Sequence, residues 1–189
     1  TTLFRPGSVS KLFTWTAVMQ LVEQGKIDLD RDVNEYLDFK IPPRNGKPVT
    51  MRNIMTHTAG FEETVRHLIH DNPDKLVALD RYVKESLPDR VFDAGTTPAY
   101  SNYATALAGY IVARRSGMSF DDYIDRHIFQ PLGMSHSTFR QPLPKHLQPY
   151  MSQGYRAASQ KAEKFEIVDP APAGSLSASG GDMAKFMIA

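Results

Sequence analysis

Ser8 and Lys11 stand three residues apart, directly after Pro6-Gly7. A serine hydroxyl is a weak nucleophile until a base takes its proton. A lysine can be that base when burial tunes its pKa to about 7–8. Proline-glycine breaks whatever precedes it. The run 9–24 then places Leu12, Trp15, Val18, Met19 and Val22 at spacings of three and four, the helical period. Gly25 sits where a helix ends on a left-handed glycine. Residues three apart on a helix have Cβ atoms about 5–6 Å apart, so the Lys11 ammonium can fold back onto the Ser8 hydroxyl. The free N–H groups of the helix start can stabilise negative charge developing on a substrate carbonyl. The same two residues also describe a serine helix cap beside a solvated lysine.

A second group of chemical interest is Tyr100-Ser101-Asn102, between a turn at 93–98 and an apolar run at 103–116 closed by Gly117. A tyrosine beside a lysine can exchange protons with it, because a positive neighbour lowers the phenol pKa from about 10. The Asn102 amide can orient a lysine or a substrate carbonyl. The plain alternative is a turn tyrosine packed on the core, with Asn102 capping a helix. His57, His67 and His70 raise the question of a metal, since histidines three apart on a helix share a face. No His-Glu-x-x-His occurs and no third ligand is placed, so neither a metal nor another cofactor is expected. His57 is expected to hydrogen-bond within its own loop, and His67 and His70 to be solvated.

Several elements must position these groups. Thr50 caps a short helix at 51–56 that stops at Thr58-Ala59-Gly60, and a polar stretch follows at 62–71. Residues 73–86 read as an outer helix and 120–129 as another, closed by Pro131-Leu132-Gly133. Residues 150–156 and 164–168 alternate weakly, as a hairpin would, and 169–174 read as a loop. Ser179-Gly180-Gly181-Asp182 opens a last helix. Phe13, Trp15, Tyr103 and Tyr110 are expected in the core. The organisation is mostly helical, and helices this apolar need a surface to pack on. A covering sheet is therefore expected from sequence on one or both sides of these residues.

The 189 residues suffice for one domain with a real core. Basic residues number 22 and acidic ones 21, with no long basic run, so nothing points to nucleic acid. Cysteine is absent, which excludes disulfides and thiolate metal sites. No stretch of about 18 apolar residues occurs, so no membrane segment is expected within this chain.

Ser8-x-x-Lys11 and Tyr100-x-Asn102, about ninety residues apart, together resemble the serine β-lactamase and penicillin-binding-protein superfamily in its class C β-lactamase-like branch. Supporting matches are Leu3 to Lys11, Ile54-Met55-Thr56-His57-Thr58-Ala59-Gly60, Ile128-Phe129-Gln130-Pro131-Leu132-Gly133-Met134, and Ala173-Gly174-Ser175-Leu176-Ser177 with Asp182-Met183-Ala184. The resemblance runs over essentially the whole chain. It implies an α+β, β-lactamase/transpeptidase-like fold, with these residues covering mainly the helical part and most of the antiparallel sheet missing. Residues 1–189 would be a single truncated catalytic domain, lacking N-terminal strands and C-terminal sheet strands, and inactive by itself. It implies that Ser8 is the acylated nucleophile, Lys11 its base or proton relay, Tyr100 the second proton-transfer group, and that Asn102 holds lysine and substrate. The family's third motif, Lys-Thr-Gly or His-x-Gly, is absent. The implied partner is a small-molecule or peptide substrate, a D-amino-acid peptide, a β-lactam or a small ester. A periplasmic, extracellular or membrane-anchored outward-facing location is implied too. The rival from another class is a non-catalytic ligand-binding or sensor module that keeps the pocket.

Overall fold

The backbone angle of Gly7 sets the start of the framework. Its φ is +57°, in the left-handed region, with open space around it, so glycine is there for conformation rather than packing. In the computed structural model, which describes every residue except Arg66 and His67, β1 (Leu3–Phe4) leads into a 3-10 turn at Gly7–Ser10. Helix α1 (Lys11–Glu23) continues from that turn. Gly25, at φ +68°, ends α1 as its position suggests.

The face that α1 buries is not the one its apolar residues alone indicate. Phe13, Ala17, Val18 and Leu21 are fully buried, but so are Lys11 and Thr14, while Leu12 and Met19 stay 50% and 44% exposed. The inward stripe is 11, 14, 18, 21, a helical period with polar residues at two of four positions. Burial of those groups is tolerated because each is hydrogen-bonded. Thr14 Oγ1 donates to the Pro172 carbonyl at 2.9 Å and Lys11 Nζ to the Ala173 carbonyl at 2.7 Å.

The remaining elements, in chain order, are α2 (Met51–Met55), β2 (Ile69–His70), α3 (Leu79–Glu85), α4 (Asn102–Ser116), α5 (Phe120–Ile124), β3 (Ser137–Thr138), β4 (Ile167–Val168), α6 (Ala171–Gly174), β5 (Ser177–Ser179) and α7 (Gly180–Ile188). Thr50 and Asn53 form a reciprocal capping box on α2. Every residue of α4 from Tyr103 to Val112 is buried, and this helix is the centre of the molecule. It packs on α1, α5 and α6. Its approach to α6 needs Gly109, where a Cβ would lie 2.4 Å from the Pro172 ring. Phe13 stacks on Phe186 at 4.0 Å and meets Phe129 edge-on at 5.5 Å, which ties α1 to the last helix.

The fold is α+β, mostly helical with little strand, as the sequence suggests, but several segments depart from their expected form. Residues 73–86 are not one helix: a 3-10 turn at Pro73–Lys75 precedes α3. The 120–129 helix passes from α5 into a π-turn at Asp125–Phe129. The expected hairpin is replaced: β4 pairs antiparallel with β2, Ile69 opposite Val168. Met151 instead bridges Leu3. Weak alternation marks a segment as extended but not its partner, and here the partner is long-range. Residues 169–174 contain α6 rather than a plain loop. A three-stranded antiparallel sheet, ordered β1-β5-β3, joins Leu3 to Ser179 and Ser137 to Ala178. Its strands of two or three residues are too short to show a period.

Candidate active site

Lys11 is the centre of the site. It is 4% exposed, and its ammonium nitrogen has three oxygen partners. Nζ lies 3.2 Å from Ser8 Oγ, 2.8 Å from Asn102 Oδ1 and 2.7 Å from the Ala173 carbonyl. The 3-10 turn and the first turn of α1 carry Ser8 and Lys11, α4 opens with Asn102, and α6 carries Ala173. Burial pushes the Lys11 pKa below the ordinary lysine value, with Tyr100 and Glu63 partly opposing that shift. A neutral amine has two N–H donors and one lone pair. Two of its three neighbours are pure acceptors, so the lone pair falls toward Ser8, whose hydroxyl can donate to it. Ser8 is exposed, in the first turn of a helix, where N–H groups lack intrahelical acceptors.

The structure brings Tyr100 to the same place. Lys11 Nζ sits 4.8 Å from the centre of its ring, and the residue is 47% exposed. Tyr100 stacks on His57 with ring centres 4.4 Å apart. Within its own loop His57 bonds only through its main-chain N–H, to the Ile54 carbonyl at 3.1 Å; its ring Nδ1 accepts the Ser101 N–H at 3.2 Å, and its carbonyl accepts the Ala99 N–H at 2.7 Å. A ring nitrogen that accepts carries no proton, so the neutral ring has its hydrogen on Nε2. Burial, and after it the Lys11 charge, lower the His57 pKa, with Glu63 opposing. The Thr58-Ala59-Gly60 turn therefore has a task. It fastens the 89–100 loop, through Gly95 N–H to the Thr58 carbonyl at 2.8 Å and Val91 N–H to the Gly60 carbonyl at 2.8 Å, and the loop delivers Tyr100.

Two contributors escaped sequence reading. The Ala173 carbonyl is one, and no side chain announces a main-chain acceptor. Glu63 is the other, inside the stretch 62–71 whose polarity alone singles out no residue. Its carboxylate accepts both the Asn102 main-chain N–H and the Asn102 Nδ2–H, each at 2.8 Å. The histidines do not gather. His70 is half-buried rather than solvated, with Nε2 3.0 Å from Asp169 Oδ2. His67 lies outside the described residues. Among the described residues no group of three potential ligands could hold a metal. No described helix is long and apolar enough to cross a membrane. Asp182, within one of the matching motifs, is buried and accepts from the His136 N–H and the Ser137 hydroxyl, which holds α7 to β3.

The Beta-lactamase family profile matches residues 1–189, and the chain belongs to that family. A β-lactamase of Providencia stuartii is 31% identical over 190 residues, covering 98% of this chain and 46% of its own length. The D-alanyl-D-alanine-carboxypeptidase/endopeptidase AmpH of Escherichia coli (strain K12) is 26% identical over 187 residues, covering 97% of this chain and 47% of its own. The crystal structure of a β-lactamase/D-alanine carboxypeptidase from Pseudomonas syringae superposes with a TM-score of 0.80 at 26% identity, over 98% of this chain and 50% of that one. The fold is the β-lactamase/transpeptidase-like one, here mainly its helical part. The chain spans about half the length of the curated relatives it matches.

Proposed function

We propose that the protein is a serine hydrolase that works through an acyl-enzyme on amide or ester bonds. Ser8 is the nucleophile, Lys11 its base, Tyr100 the second proton-transfer group, and Asn102 the holder of lysine and substrate. The observation that supports this is the Lys11 amine, buried, 3.2 Å from the Ser8 hydroxyl, with its other two contacts made by acceptors alone. As Ser8 Oγ attacks the carbonyl carbon, Lys11 takes the hydroxyl proton and the carbonyl π electrons move onto oxygen. The tetrahedral intermediate collapses, the C–N or C–O bond breaks, and the leaving group takes a proton passed through Tyr100. Water then attacks the Ser8 ester by the same groups in reverse. The relatives named as β-lactamase and as D-alanyl-D-alanine carboxypeptidase support D-amino-acid peptides and β-lactams as substrate classes, with small esters the third. Peptidase or esterase turnover ranks ahead of dedicated lactam hydrolysis.

The test is intact mass of the full-length protein after a fluorescent penicillin, a phosphonate and an activated ester. Ser8→Ala is expected to abolish the adduct and leave the circular-dichroism melt nearly unchanged. The neighbouring serines are otherwise engaged: Ser10 Oγ donates to the Gly7 carbonyl and accepts from the Leu176 N–H, and Ser101 caps α4. An adduct that persists at Ser10 or Ser101 in Ser8→Ala overturns the assignment.

A further inference from the structure

Glu63 holds Asn102 by two atoms. Its Oε2 accepts the main-chain N–H and its Oε1 the Nδ2–H, each at 2.8 Å. A carboxylate only accepts, so the Asn102 amide has one orientation that satisfies the contact, with nitrogen toward Glu63 and oxygen toward Lys11. That oxygen lies 2.8 Å from Lys11 Nζ. We infer that Glu63 is a positioning residue for acyl transfer: it locks the Asn102 amide so that its oxygen stays on Lys11, and thereby aims the remaining valence of Lys11 Nζ at Ser8. The inference rests on the reading of Ser8 as nucleophile and Lys11 as base.

A carboxylate at this place also sits at the N-terminus of α4, where a negative charge is favourable in any case. Donor and acceptor polarity separates the two roles. Glu63→Gln keeps the shape but offers one oxygen and one NH2 to two Asn102 donors. If the new amide oxygen takes the main-chain N–H, its NH2 meets the Asn102 NH2. Turning the Asn102 amide over relieves that conflict but presents nitrogen to Lys11 and removes its acceptor. Adding Asn102→Asp repairs the arrangement, since the two carboxylate oxygens accept from the introduced glutamine amide and from Lys11 together. The double variant Glu63→Gln/Asn102→Asp thus restores every donor to an acceptor, with the negative charge moved next to Nζ.

The pH dependence follows from the groups that face Lys11. These are Ser8, Asn102, the Ala173 carbonyl and the Tyr100 ring, with His57 and Glu63 acting on it through space. The Glu63 charge favours the ammonium. Its loss in Glu63→Gln makes the neutral amine available at lower pH, so the rising limb of the acylation rate moves down. In the double variant the carboxylate touches Nζ, and the limb moves above that of the parent.

The experiment uses the full-length protein with p-nitrophenyl acetate, following the burst of nitrophenol and the acetyl adduct on Ser8 by intact mass across pH. Glu63→Gln is expected to lower the plateau acylation rate by about 10–10²-fold, the scale of a misplacement near 1 Å, with the rising limb at lower pH than in the parent. The double variant is expected to acylate faster at its plateau than Glu63→Gln, with its limb displaced above that of the parent. Parental rate and limb in Glu63→Gln overturn the inference while leaving the Ser8 reading intact. If Glu63→Gln loses its fold by circular dichroism, the double variant decides: failure to acylate with an upshifted limb overturns the inference. Absence of any Ser8 adduct in the parent overturns the Ser8 reading, and this inference with it.

Discussion

Gly60→Ala tests whether the Thr58-Ala59-Gly60 turn governs the site from outside it. A Cβ on Gly60 would lie 2.0 Å from the Phe92 carbonyl oxygen and 2.7 Å from its carbon, at a φ of +81°. The overlap is with main chain, which cannot rotate away as a side chain would. Two hydrogen bonds end on the Gly60 carbonyl, from Val91 N–H at 2.8 Å and Phe92 N–H at 3.2 Å, and the displacement strains both. The left-handed angle costs a residue with a Cβ about 1–2 kcal/mol, and each hydrogen bond contributes about 0.5–1.5 kcal/mol. The expected loss is about 2–5 kcal/mol, a large part of a total that is about 5–15 kcal/mol for most domains. The same loop carries Tyr100, so its displacement reaches the phenol, and a shift near 1 Å there is worth up to about 10²-fold in rate. Gly46→Ala is the control, since Gly46 shares the positive φ, at +71°, with open space around it. It should lose only the conformational share and acylate normally. Urea denaturation and Ser8 acylation of the folded protein are the assays. Gly60→Ala that matches Gly46→Ala in stability and acylates at the parental rate would refute the argument.

Lys11 and Tyr100 are expected to act as one proton-transfer unit. Each single removal should slow acylation by about 10²–10⁴-fold, and the double removal should be no worse than the poorer single. A parental rate in Tyr100→Phe would make Tyr100 structural. Because burial lowers the folded-state pKa of Lys11 from its ordinary 10.5, the unfolded chain binds the extra proton between the two values. Stability should therefore rise with pH through that window, and Lys11→Met should flatten the rise; equal slopes in urea titrations of the two proteins would refute it. The isolated 189 residues should hydrolyse an activated acetate ester far more slowly than the full-length protein, since Val9 in the 3-10 turn and Leu12 and Met19 along α1 leave apolar side chains uncovered. Comparable Ser8-dependent turnover by the two would show that the site is complete in these residues.

The parts that were legible are those fixed by local chemistry. Pro6-Gly7 before Ser8, and the Gly117 that closes α4, mark their turn and helix ends by backbone preference alone, and the structure places them accordingly. Residues with a reactive type at helical spacing were legible too, because three residues along one helix leave Lys11 little choice but to meet Ser8. The buried face of α1 is not legible in hydrophobicity, because a buried amine with hydrogen-bond acceptors around it displaces apolar side chains from that face. Leu12 is more exposed than Lys11, an inversion that the acceptors around Nζ, Asn102 Oδ1 and the Ala173 carbonyl, explain. The strand partners, His70 with Asp169, and Glu63 with Asn102 depend on residues 39 or more positions apart, for which the pattern of one segment carries no information.

The arrangement around Lys11 shows why three unrelated stretches must meet there. An ammonium leaving water needs acceptors for all its hydrogens, and a base needs one of those positions to be a hydroxyl rather than a fixed acceptor. Residues 8–11 supply the hydroxyl, 102 an amide oxygen and 173 a carbonyl, and neither of the last two can be spared without leaving a buried N–H unmet. The α6 segment is held against this centre by more than Lys11. Leu176 N–H donates to Ser10 Oγ, Thr14 donates to the Pro172 carbonyl, and Gly109 admits the Pro172 ring. Glu63 closes the remaining freedom by fixing Asn102 from behind. Each constraint acts on a neighbour of Lys11 rather than on Lys11 itself. The amine is therefore aimed by its surroundings.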